Sequence, residues 1–158
     1  MILYYTAGQK TKVFAHALHD VLRQPMQELK SPLNEKSFFI FRALYLAVTG
    51  KGYPVSNMPE KIDGKEIYLC SPVWGGNVAG PAWYFLNNAN LEGVKVNLLL
   101  TCGSVTGSER YRKKALESLQ LAGCEPGDIY VFATGKGVPE HSVIVEQLRE
   151  MLPPNVIG

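Results

Sequence analysis

The chain has 158 residues, 46% hydrophobic and 19% charged, the size and balance of one globular domain with a substantial core. A formal net charge of +2 predicts neither a nucleic-acid binder nor an acidic carrier. With no signal-peptide pattern and no run near the ~20 apolar residues that cross a bilayer, a cytoplasmic protein with no membrane partner is expected.

Met1 to Tyr5 reads as a buried first strand. The small, polar stretch Thr6-Ala7-Gly8-Gln9-Lys10-Thr11 interrupts it. From Thr11, the expected N-cap, Val13, Phe14, Ala17, Leu18, Val21 and Leu22 recur at one-turn spacing and give a helix with a single apolar face. Strand, polar loop and helix N-terminus make an anion site, because free N–H groups and the helix dipole both point into the loop. The loop matches neither the Walker pattern nor Gly-x-Gly-x-x-Gly. It offers the hydroxyls of Thr6 and Thr11 and the charges of Lys10 and Lys12, although the same residues also suit a plain turn that Thr11 caps.

Gln27 to Lys30 reads as a short second strand ended by Ser31-Pro32. Asn34 is expected to cap a helix that runs to about Thr49 through Phe38, Phe39, Phe41, Leu44 and Leu46, with Gly50 as its stop. That helix is apolar on more than one face, so it is either tightly covered or meets a partner subunit; a homodimer is a candidate assembly. A polar connection with Pro54, Pro59 and the turn pair Asp63-Gly64 leads to a buried third strand, Lys65 to Cys70.

Ser71-Pro72-Val73-Trp74-Gly75-Gly76-Asn77 is expected to end that strand, since Pro72 lacks an N–H and Gly75-Gly76 permit turns that larger residues forbid. A helix follows from Gly80-Pro81 to about Asn90, with Trp83, Tyr84, Phe85 and Leu86. Val94 to Thr101 is the fourth strand and Cys102-Gly103-Ser104-Val105-Thr106-Gly107 its loop. Ser108 then caps a helix ending near Gly123, whose Arg110, Arg112, Lys113 and Lys114 read as a solvated face. Asp128 to Thr134 is the fifth strand, and Pro139 opens a last helix with Ile144, Leu148 and Met151 inward. The tail from Pro153-Pro154 to Gly158 is expected to be loose.

Five strands alternating with five helices predict a three-layer α/β domain spanning residues 1–158, with an open parallel sheet in the order 2-1-3-4-5. The loops after strands one, three and four carry the unusual residues. In that order they meet at the switch point between strands one and three, where open α/β sheets bind ligands. A large flat side chain such as Trp74 beside bare backbone amides suits a planar heterocycle with polar edges, or simply closes the core.

At this point the chain resembles the flavodoxin-like family over nearly its whole length. Thr6 to Thr11 is similar to the family's phosphate loop, usually Ser/Thr-x-Thr-Gly-Asn-Thr; Ser71-Pro72-Val73-Trp74-Gly75-Gly76 is similar to its Ser-Pro-x-Trp flavin loop; Thr101-Cys102-Gly103-Ser104 stands in the place of the third. The first loop departs from the pattern, with Gly8 for a Thr, Gln9 for the Gly and Lys10 for the Asn. The resemblance implies FMN as cofactor. Thr6, Gly8, Gln9, Lys10 and Thr11 would hold its phosphate, and Pro72, Val73, Trp74, Gly75, Gly76 and Asn77 would lie along the isoalloxazine. Thr101, Cys102 and Gly103 would address the pyrimidine side, with Tyr111 a second aromatic cover.

No residue is then needed as acid, base or nucleophile, because the flavin carries the redox chemistry. The implied function is electron transfer or NAD(P)H-dependent reduction of quinones or flavins, which leans to an FMN-dependent oxidoreductase. Its partner would be a redox protein or a small-molecule acceptor, with no nucleic acid. The residues leave a second reading open: a non-redox binding module of the same fold with a weakened phosphate loop. His16 and His19 have no Asp, Glu or Cys at ligand spacing, so no metal is expected, and His141 reads as structural. Three widely spaced cysteines fit neither a disulfide framework nor a zinc site, and Cys102 has no neighbouring cysteine to make it a redox pair.

Overall fold

The computed structural model describes residues 1–35, 39–49, 51–62 and 64–158. The expectations placed on Phe38, Gly50 and Asp63 lie outside the described residues. Strands β1 (Ile2–Tyr4), β2 (Met26–Glu28), β3 (Glu66–Trp74), β5 (Lys95–Cys102) and β6 (Glu125–Ala133) form a parallel sheet in the order β2-β1-β3-β5-β6. A two-residue strand, β4 (Asn77–Val78), pairs antiparallel with the end of β3. Ignoring β4, this is the predicted order.

Alternation along the strands divides the core. Tyr68, Cys70, Leu99, Tyr130 and Phe132 face helices α1 (Lys10–Leu22) and α5 (His141–Met151). Ile67, Leu69, Val96, Leu98 and Leu100 face the other way, onto α3 (Gly80–Asn88) and α4 (Ser108–Leu121). Both faces of the central strands are therefore dry, which is why they read as continuous apolar runs. Asn97, buried in β5, stays satisfied at the amino-terminal end of the sheet: its amide donates to Glu66 at 2.8 Å, and its carbonyl accepts from the Asp128 N–H at 2.8 Å.

Several boundaries differ from the sequence reading. The third strand does not stop at Cys70. Tyr68 N–H donates to the Met1 carbonyl, and the Tyr5 N–H to the Cys70 carbonyl. Residues two apart direct their backbone groups to the same side, so Pro72 also faces β1 rather than β5. Its missing N–H ends the β1 ladder while pairing with β5 continues as far as Pro72 opposite Thr101. Beyond it Trp74 and Asn77 bracket a two-residue hairpin, in which Gly75 and Gly76 have φ of 57° and 86°. Positive φ at both central residues is the requirement of a type I′ turn.

Thr11 is not the N-cap of α1; Gln9 is, and α1 begins at Lys10. Asn34 does not cap α2 (Phe39–Thr49) but lies in a 3-10 turn, Pro32–Glu35. Gly107 rather than Ser108 caps α4, and α5 starts at His141 after Glu140, with Pro139 outside it. Met151, the last residue of α5, is exposed, and Leu152, which follows the helix, is buried. Leu46 is buried, whereas Phe41, Leu44, Tyr45 and Val48 form an exposed apolar stripe on α2. Arg112 is only partly solvated: its guanidinium donates to the Ile129 carbonyl. His141 Nε2 lies 2.7 Å from Asp20 Oδ2, tying α5 to α1, and this bond lowers the Asp20 pKa.

The tail is docked rather than loose. Pro154–Val156 makes a further 3-10 turn, Val156 and Ile157 pack on the α1/α5 core, and Gly158 N–H donates to the Val21 carbonyl. A variant ending at Pro153 is expected to unfold at lower urea concentration, losing about 2 kcal/mol for two half-buried aliphatic side chains. An unchanged midpoint would mean that the tail only rests on the surface.

Candidate functional site

At the carboxyl end of the sheet four segments enclose one cleft of about 250 Å³. The loop after β1 contributes Thr6, Ala7 and Gly8, and the start of α1 contributes Lys10 and Thr11. The end of β3 supplies Pro72, Val73 and Trp74, the end of β5 Thr101, Cys102 and Gly103, and the end of β6 Thr134. Three loops far apart in sequence converge because β1, β3 and β5 are neighbours. Ala7 and Thr134 were not among the predicted site residues. Thr134 was legible only as the last residue of a strand, the position from which every other lining segment comes.

Gln9, Gly75, Gly76, Asn77 and Tyr111 do not line the cleft. Gln9 turns outward to a separate depression with Lys12, His16, Asp20 and His141. Gly75 and Gly76 form the hairpin tip, with Lys114 and Arg110 lying against Gly76. Tyr111 sits in the first turn of α4.

The first loop carries two unrelieved features. Gln9 adopts φ 64°, ψ −12°, a left-handed conformation that costs a side chain about 1–2 kcal/mol. Lys10 and Thr11, the first residues of α1, line the cleft, and no acidic residue occupies the first turn of the helix. Thr6 is buried, and its hydroxyl oxygen has no hydrogen-bond partner among the described residues. A buried hydroxyl left unpaired costs about 1–3 kcal/mol.

The other polar atoms are engaged. Thr11 Oγ1 is 2.7 Å from Thr101 Oγ1, locking α1 to β5. Lys10 Nζ donates to the Thr134 carbonyl at 3.1 Å, across the cleft mouth. Asn34 accepts from the Tyr5 hydroxyl at 2.6 Å and donates to the Thr6 carbonyl at 3.1 Å, fixing the loop from below. Trp74 meets Tyr5 edge to face, with ring centroids 5.7 Å apart, so its plane is held by packing as well as by the hairpin.

Beside it, the loops after β5 and β6 are clasped. Thr134 N–H and hydroxyl both donate to the Cys102 carbonyl, at 2.7 and 3.1 Å. Gly135 packs so closely that a Cβ there would stand 2.0 Å from the Gly103 oxygen. Cys102 is buried, its thiol donates to the Ser104 carbonyl at 3.1 Å, and burial pushes its pKa up. All three cysteines are free and buried. A thiol kept protonated in this way is a poor nucleophile. The arrangement is equipped to hold an anion at the first loop and a flat group against Trp74.

A doubly wound parallel sheet with such a cleft at its switch point has the flavodoxin-like fold. No protein-family model matches the sequence, and no curated protein matches it. Solved structures do match. A candidate flavoprotein from Bacteroides uniformis superimposes with a TM-score of 0.76 at 14% identity, over 94% of this chain and 96% of that one. A flavoprotein from Lactobacillus acidophilus, solved in complex with FMN, gives 0.66 at 18% identity, over 82% and 90%. The flavodoxin of Streptococcus pneumoniae TIGR4 gives 0.52 at 12% identity, over 94% and 91%. At such identities the likeness is one of fold.

The Gln9 corner generates a direct test. Gln9→Gly relieves the left-handed strain, and chemical denaturation should show the free protein stabilised by about 1 kcal/mol. A loss of stability would mean that the Gln9 side chain holds the loop through contacts that outweigh the strain.

Proposed function

We propose that the cleft binds FMN and that the protein is a flavodoxin-like redox protein, transferring electrons or reducing quinone or flavin substrates with NAD(P)H. The observation that carries this reading is the orphaned hydroxyl of Thr6, buried at the wall of an anion-ready loop. The FMN bound by the Lactobacillus acidophilus flavoprotein on the same fold supports it.

The residues present fit the group. Thr6, Gly8, Lys10 and Thr11 would surround its phosphate, Thr11 through its backbone because its hydroxyl is taken by Thr101. Pro72, Val73 and Trp74 would lie along the ring system, and Thr101 to Gly103 would present backbone groups to its polar edge. When bound, FMN supplies the one- and two-electron chemistry that no side chain here provides. The protein's part is to orient it, shield one face with Trp74 and place the positive charge of Lys10 near the phosphate.

Thr6→Val keeps the shape and removes the orphan. In the ligand-free protein it should raise stability by about 1 kcal/mol, while FMN titration should show weaker binding. Unchanged FMN affinity would remove Thr6 from the site, and no binding of FMN by the unaltered protein would overturn the reading.

Lys10 tests the phosphate directly. Charge-assisted contacts to phosphate are strong and screened by salt. Lys10→Ala should weaken FMN more than riboflavin and flatten the salt dependence of FMN binding. Equal losses for the two flavins would refute its phosphate role.

A further inference from the structure

Across the clasp from the cleft, the loops after β5 and β6 enclose a second cavity of about 520 Å³. Ala133 and Thr134 are successive residues and face opposite ways, Thr134 into the cleft and Ala133 into this cavity. Its volume is within the usual range for small-molecule sites, about 300–1,000 Å³. The walls are mainly apolar: Val105, Ala133, Val138 and Pro139. Val105 is 51% exposed. The one charged side chain on the lining is Lys136, and no carboxylate accompanies it. Among the described residues Lys136 belongs to no ion pair.

The two Thr134 bonds to Cys102 and the close packing of Gly135 on Gly103 tie the two loops together at their bases. An open, mainly apolar depression with one unpaired cation favours a ligand with an apolar body and a single negative charge; inorganic phosphate would gain nothing from the apolar walls.

We propose that this cavity binds a small aromatic carboxylate, the ring lying between Val105 and Val138–Pro139 and the carboxylate meeting Lys136. Gly103 borders both spaces, and none of the other residues lining this one lines the cleft, so the inference does not rest on the FMN reading. The test is a titration of the 15N-labelled full chain with 2-naphthoate, with and without saturating FMN, and 2-naphthalenemethanol as the uncharged counterpart. Naphthoate should shift the amides of Val105, Lys136 and Val138 and bind more tightly than the alcohol. Lys136→Gln should weaken naphthoate about three- to fivefold, the worth of one exposed charge contact, and leave the alcohol unchanged. Val105→Ser should weaken both. The same spectra report whether each variant is folded, and the comparison of the two ligands on the unaltered chain needs no variant. Shifts confined to other residues, equal affinity for the two ligands, or loss of naphthoate when FMN is added would each overturn the proposal. Failure of FMN to bind while naphthoate still shifts these amides would overturn the FMN reading alone.

Discussion

The β1–β3 ladder stops where position 72 has no N–H to continue it, and the shape of the carboxyl end follows from that missing donor. Released from β3, the chain after Tyr5 leaves the sheet and curls into the loop that starts α1. β3 continues along β5 and carries Trp74 past the end of β1. The space between the departing loop and the advancing strand is the cleft. On that side the Pro72 carbonyl accepts instead from the Ala79 N–H at 3.1 Å, so the return of the hairpin takes the place beside β3 that β1 vacates.

The same loop concentrates the conformational strain and the unpaired polarity of the site. Gln9 holds a left-handed angle, and Thr6 buries a hydroxyl with no partner. Both are local, and the neighbouring atoms are fully committed: Thr11 to Thr101, Asn34 to Tyr5 and to the Thr6 carbonyl. Strain surrounded by a satisfied, dry framework persists because the framework over-determines it.

Much of this was legible in the sequence, because burial on both faces writes strands such as Leu98-Leu99-Leu100 as unbroken apolar runs. Their alternation with helices predicts the sheet order, and the order brings Thr6, Trp74 and Thr101 together. What was not legible depended on partners distant in the chain. Thr11 reads as a helix cap, yet its hydroxyl is captured by Thr101, 90 residues away in sequence. Pro72 reads as a strand breaker because sequence does not say which neighbour its nitrogen faces. Thr134 has no motif of its own; its place comes from the two bonds it donates to Cys102. The docking of Val156 and Ile157 was hidden by two prolines that resemble the end of ordered structure.

Strand β6 is one border of the sheet, and nine residues of outer strand are long enough to invite a second molecule to add its own. This border is closed to such growth. Pro126 offers no donor, Asp128 brings a charge, and Arg112 reaches down from α4 to take the Ile129 carbonyl. An incoming strand would have to dislodge that guanidinium and then pass a proline and a carboxylate. The arginine that sequence alone assigns to solvent thus occupies a backbone acceptor that an added strand would need.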